Sequence, residues 1–207
     1  MCLRKEIPYR PERRTAHPKI AGWQTAVVVG PAGEEIHTDE HGRIKLQFRW
    51  DREGKEDDHA SCWIRVAQAL AGPGFGALWL PRVGQEVLVS FEEGDPDRPA
   101  AIGAAYNGMN PTPLDLPAEK TRSTLKSRSS PENGGIGFNE LRFEDAAGSE
   151  EVYLRAQRNL QIQVLNDKAQ EVGGNETLTV AKDRCRTVLG NQSLVVKGND
   201  DGQVLQN

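Results

Sequence analysis

The sequence is poor in hydrophobic and aromatic residues and has no long apolar segment. Hydrophobic residues make up 37% of the 207 residues and aromatic residues 6%, which suits a modest core with a long polar surface. No stretch approaches the roughly 18 apolar residues of a membrane-spanning helix. Residues 1–20 also lack the apolar segment of a signal peptide. We therefore expect synthesis in the cytoplasm without a signal peptide, so that any export uses another route.

Cysteine is scarce as well, and basic residues do not outnumber acidic ones. Cys2, Cys62 and Cys185 lie far apart without CxxC spacing, so reduced thiols are a simpler interpretation than a disulfide framework. The net charge of −4 gives no strong basic footprint for nucleic acid. The sequence also lacks a GK[ST] phosphate loop, a GxSxG serine motif and the nine-residue GGxGxD repeats of calcium-binding β-rolls.

Two groups of residues could carry chemistry, and neither pattern favours it. His37 and His41 have the i, i+4 spacing of metal ligands on a helix, but Gly42 places them in a loop. Four carboxylates could hydrolyse glycosides, yet they occupy a predicted surface turn with no apolar pocket to raise a pKa. These acids are Glu92, Glu93, Asp95 and Asp97. We predict no catalytic residue, no metal and no cofactor, and a cell-wall hydrolase is the least favoured alternative.

The C-terminal segment repeats every eight residues. Valine recurs in each octad, at Val164, Val172, Val180, Val188, Val196 and Val204. Eight residues fit a strand of about 5 residues and a short turn, in which glycine and asparagine tolerate positive φ. The predicted turn residues are Gly174, Asn175, Gly190, Asn191, Gly198 and Asn199. Alternate residues share a strand face, which adds Ile162, Leu178 and Leu194 to the predicted core.

One short strand cannot bury this valine column by itself. A single-chain solenoid with about three octads per coil would have only two coils here, fewer than the ~3 repeats that such arrays need. Three chains that each give one octad per layer fill the same triangular section at once. We therefore predict an intertwined homotrimeric β-helix over residues 136–207, entered through a β-hairpin. A flexible tail is the alternative, but disorder does not require valine at fixed spacing.

Residues 20–108 are predicted to form a small closed β-barrel. The expected strands cover residues 24–29, 43–50, 62–67, 86–91 and 98–105, and five short strands are typical of an OB-fold. Within residues 43–50 the apolar side chains alternate and share one face. Residues 1–19, rich in Pro, Arg and Lys, are predicted to be an extended linker, and residues 109–135 a connector. The fold class is thus all-β.

Barrels of this type often bind single strands through aromatic platforms in a basic groove. The aromatic residues available for this are Trp50, Trp63, Phe75 and Trp79. The acidic turn and the negative net charge favour placing these side chains in the core instead, so we predict no nucleic-acid partner. A nucleic-acid-binding barrel on a trimeric stalk is the alternative function.

The barrel sequence resembles the VgrG family, the valine-glycine repeat spike proteins of type VI secretion. The residues that carry the resemblance are the runs at 25–36, 39–45, 50–54, 81–87 and 93–99, and the NELRFED run at 139–145. The resemblance implies an OB-fold collar on a trimeric β-helix, used as the needle tip of a contractile secretion machine. It also implies effectors, a tip-capping protein and the secretion tube as partners, and contact with the target membrane only by puncture. The family's N-terminal hub and C-terminal tip sequence do not occur in these 207 residues, which we expect of a fragment of a longer protein.

Overall fold

The chain is described by a computed structural model that covers residues 12, 14–131 and 137–202. Within these ranges there are ten strands, one 3-10 turn at Glu92–Gly94 and no α-helix. No helix there has the length and apolar character that crossing a membrane requires. The strands are β1 Trp23–Val29, β2 Lys45–Phe48, β3 Arg65–Val66, β4 Ala71–Gly72, β5 Phe75–Gly76, β6 Glu86–Phe91, β7 Pro99–Ala105, β8 Arg122–Lys126, β9 Glu140–Glu144 and β10 Glu151–Arg155.

Five of these strands form one curled sheet in the order β2-β1-β6-β7-β3. All neighbours are antiparallel except β3 and β7. The residues just before the two edge strands meet, because Ile44 and Ile64 exchange backbone hydrogen bonds of 2.9 and 2.8 Å. This contact joins the two edges, as a small closed barrel requires.

The barrel core follows the predicted alternation of apolar residues. Ile44, Leu46 and Phe48 are buried on one face, as are the alternate residues of β6. The rest of the core comes from β1, β7 and Ile64. The predicted strand at residues 62–67 is shorter than expected, since only Arg65–Val66 form a ladder.

The core assignment of the aromatic side chains is wrong at three of four positions within the chain. Trp50 is 61% exposed because β2 ends at Phe48, and Phe75 in β5 and Trp79 after it are exposed as well. Trp63 is half-buried and packs against the ring of His37 at a centroid distance of 4.9 Å. Alternation alone did not reveal where the strands end.

A second sheet has the strand order β10-β9-β8. The expected hairpin is β9–β10, in which Leu141 pairs with Leu154. Strand β8, which pairs Leu125 with Leu141, lies in the segment predicted to be a connector. The sheet therefore has three strands instead of two.

The chain divides into two compact units, residues 1–160 and residues 161–207. The barrel and the three-stranded sheet both belong to the first unit. The second unit carries the octads, and no residue from 161 to 202 is buried within the single chain.

Candidate trimerisation surface

The backbone of the octad unit bends once in every eight residues. Bends occur at residues 165–166, 173–174, 181–182, 189–190 and 197–198. Each bend follows directly after a valine of the column, from Val164 to Val196. No strand is assigned between residues 161 and 202, since a strand is defined by its pairing and the single chain offers no partner. Val204 lies outside the described residues.

The valine column differs in exposure from the other apolar residues of this unit. Its five described members are between 43% and 48% exposed. Val195 and Leu189, which lie off the column, are 78% and 100% exposed. The other predicted core residues, Ile162, Leu178 and Leu194, lie between these values. The column thus has a uniform environment, although its role at a trimer axis stays a prediction.

The predicted positive φ of the turn glycines does not occur in the single chain. Gly174, Gly190 and Gly198 each occupy the second position of a bend, but none has a positive φ. A Cβ added at any of them would meet nothing within 4 Å. The asparagines that follow, Asn175, Asn191 and Asn199, also lack positive φ. If these positions require glycine, the crowding has to come from other chains.

The three-stranded sheet has two chemically different faces. One face is apolar, and the register places Leu141 between Leu125 and Leu154, and Phe143 beside Val152. Four of these five side chains are exposed. A bare apolar sheet face cannot be stable in water without a covering layer. This face is therefore a second candidate contact surface.

The other face of this sheet is polar and carries ion pairs between side chains of the same chain. Arg122 contacts Glu144 at 2.7 Å and also pairs with Glu119. A hydrogen bond from Thr121 is the main reason why the pKa of Glu144 lies below its ordinary value, and the hydrogen bond from Arg122 acts in the same direction. Most charged groups of this face are therefore paired within the chain, although Nε of Arg142 is buried without a partner among the described residues, and the exposed apolar face is the better candidate for contact with an additional chain.

The predicted acidic turn lies at the surface and is held by ion pairs with arginines. Glu92 pairs with Arg98 at 2.8 Å and lies 3.6 Å from Arg65, while Glu93 is exposed with a φ of 55°. Possible metal ligands come within 4.8 Å of one another in two groups among the described residues, and neither group contains His37 or His41. These groups are Asp57, Asp58 and His59, and His17, Asp95 and Asp97.

Comparisons with known proteins identify both parts of the chain. Residues 24–106 match the type VI secretion system/phage-baseplate injector OB domain. Residues 123–207 match the bacteriophage T4 gp5 C-terminal trimerisation domain. The chain is 50% identical over 175 residues to the type VI secretion system spike protein VgrG4b of Pseudomonas aeruginosa. This chain belongs to the VgrG spike family. The prediction of an all-β fold, with an OB barrel and a trimeric β-helix, is confirmed.

The relatives of this spike-family chain are much longer than the chain itself. It is 49% identical over 179 residues to VgrG1b of Pseudomonas aeruginosa. The matches cover 84% and 86% of this chain but only 21% and 24% of VgrG4b and VgrG1b. Another relative, 43% identical over 182 residues, is the actin cross-linking toxin VgrG1 of Vibrio cholerae, of which 16% is matched. The shared region is thus the barrel and the octads, and most of each relative lies outside it.

Proposed function

We propose that this chain forms the collar and upper shaft of a homotrimeric spike in a type VI secretion machine. A contracting sheath drives the spike through a target envelope together with its effectors. The observation that carries the proposal is the valine column at eight-residue spacing, inside a segment that matches a trimerisation domain. A shaft of this kind keeps its apolar residues inside and its polar residues outside, and this suits passage through an envelope.

The role of this region is mechanical, and it carries no enzymatic activity of its own. The toxin relative is named for cross-linking actin, but its match to this chain covers only 16% of its length. The proposed partners are two further copies of this chain, a tip-capping protein, effectors and the secretion tube. The protein is made in the cytoplasm and leaves the cell through the secretion machine, and it meets the target membrane only by puncture.

Light scattering with a matched pair of variants tests the trimer. The 207-residue chain is expected to have three times its 22.8 kDa mass. Val188→Asp places a carboxylate at the axis, where burying an unpaired charge is costly, so this variant should dissociate at protein concentrations at which the wild type stays trimeric. Val195→Asp changes an exposed position and should keep the trimer. A monomeric wild-type chain, or equal dissociation of the two variants over the whole dilution series, would refute the proposed shaft.

A further inference from the structure

The β4–β5 hairpin exposes an unusual number of large apolar side chains. We refer to residues 68–79 as the arm. Leu70, Phe75, Leu78 and Trp79 are each between 57% and 69% exposed. Monomeric soluble proteins rarely leave such a cluster in water unless it binds something. The arm is therefore a candidate contact surface within the first unit.

The arm has a regular hairpin structure with contacts between its two strands. Its turn runs through Pro73 and Gly74, and Gly74 has a φ of 83° that favours glycine. The ring of Phe75 lies over Gly72, where an added Cβ would come within 2.4 Å of the ring. The backbone of Ala77 donates to Leu70 at 2.9 Å and continues the ladder toward the barrel. The ring of Phe75 thus lies over Gly72 within the single chain, while most of its surface stays exposed.

The base of the arm is joined by hydrogen bonds as well. The side chain of Gln68 accepts from the backbone of Trp79 at 2.9 Å and donates to its carbonyl at 3.0 Å. Leu70 and Phe75 share one face of the hairpin, because Gly72 pairs with Phe75 and Leu70 lies two residues earlier. An exposed aromatic ring with an aliphatic neighbour has the composition of an interface anchor.

A groove of about 770 Å³ opens beside the base of the arm. Its lining is mixed, with Ile36 and Val66 as apolar residues and Lys126, Ser127 and Arg128 at the end of β8 as polar ones. Leu78 and Trp79 at the base of the arm also line the groove, whereas Leu70 and Phe75 do not. Each chain therefore carries a groove at the base of the arm and, outside that groove, an apolar face formed by Leu70 and Phe75.

We propose that the arm of each chain docks into the groove of the next chain, so that the three barrels interlock as a ring. A cyclic trimer needs two different patches on each chain, and the Leu70–Phe75 face of the arm and the groove at its base are two such patches. The groove also adjoins β8, whose residues from Ser123 onward lie in the trimerisation match. The inference rests on the homotrimer proposed above. It adds that the barrels, as well as the octads, hold the trimer together.

Cysteine crosslinking in the full chain tests this contact. The native cysteines are first replaced by serine. Leu70→Cys then places a thiol beside the Phe75 anchor, and Ile36→Cys places one in the groove. With a short bismaleimide, we expect at least about tenfold more crosslinked trimer from this pair than from Leu70→Cys with Trp23→Cys, since docked sites have millimolar effective concentrations. Trp23 is a suitable control because it is as exposed as the arm residues and lies outside the groove.

The anchor is tested in the same crosslinking background. Adding Phe75→Ala should lower the yield from the Leu70–Ile36 cysteine pair by about tenfold, the effect of removing a buried interface anchor. Adding Leu116→Ala, which truncates a residue that is 52% exposed and lies outside both the groove and the three-stranded sheet, should leave the yield unchanged. A trimeric mass with control-level crosslinking would refute the interlocked barrels and leave the shaft intact. A monomeric mass would instead refute the trimer on which the inference rests.

Discussion

The valine column makes a quantitative prediction at Val188. Val188→Ala removes two carbons from a side chain that is 43% exposed in the single chain. At ~0.8 kcal/mol per buried CH₂, full burial in a trimer makes the change worth about 1.6 kcal/mol per chain. Three symmetric copies raise this to about 5 kcal/mol per trimer, before any cavity term. Because Val188 is 43% exposed in the single chain, the neighbouring chains have to bury this remaining fraction of its surface.

Val195 provides a matched control because the same two carbons are removed from a neighbouring octad. This side chain is 78% exposed and has the opposite parity to Val196. Val195→Ala should cost only a few tenths of a kcal/mol per chain, from lower β propensity. The pair therefore separates burial at the axis from the general cost of removing a β-branched side chain.

The assay should measure unfolding rates in hot denaturant. Interwound chains separate slowly, so the barrier governs persistence and an equilibrium midpoint would mislead. We expect Val188→Ala to accelerate unfolding far more than Val195→Ala. Equal acceleration by the two variants would show that the valine column does not face the trimer axis. The core of each octad would then have to lie on the opposite face.

Three further predictions concern the barrel. Glu86 has a lowered pKa because it accepts from Asn107 at 2.5 Å and from Arg49 at 2.8 Å. The ionised Glu86 therefore stabilises the fold at pH values above the ordinary pKa of 4.5, and this stabilisation is lost as the pH falls through the lower pKa of the folded state. Glu86→Gln removes this titration, so we expect the stability of the variant to depend less on pH in this acid range. Acid unfolding followed by circular dichroism measures the difference. Gly54→Ala should destabilise the barrel by about 1–3 kcal/mol in urea, because the new Cβ would clash with Oε1 of buried Gln47. Gly108→Ala should lose less, because Gly108 has open space around it and no positive φ. Labelled single-stranded DNA should show no binding that falls steeply with salt, and micromolar affinity at low salt would favour the alternative of a nucleic-acid-binding barrel.

The barrel could be predicted well from the sequence because a strand with one buried face alternates visibly. Ile44, Leu46 and Phe48 share a face and form the core, as expected. The pattern failed at Trp50, where Asp51 turns the chain by accepting from the backbone of Glu53 at 3.0 Å. An aspartate followed two residues later by such a donor is a turn signal, and it could have moved the predicted end of the strand.

Strand β8 could not be predicted from local pattern. Its sequence, RSTLK, contains a single large apolar residue, Leu125, among polar ones. The strand exists because it pairs with β9, which begins 14 residues after β8 ends. Pairing over such a distance depends on tertiary context, and this commonly overrides local β propensity. The exposed arm was missed for a related reason, since apolar composition alone does not distinguish a core from an interface.

The valine repeat alone does not fix the register between the three chains, but a second column of residues does. Chains made of equivalent octads could pair one octad out of step and still align their valines. The position two residues before each valine breaks this equivalence, because apolar and non-apolar residues alternate there: Ile162, Gln170, Leu178, Arg186 and Leu194. A slip of eight residues would bring Arg186 to the level of Leu178 or Leu194. An arginine enclosed among leucines without a partner is costly, so the second column penalises the one-octad slip that the valines alone would permit.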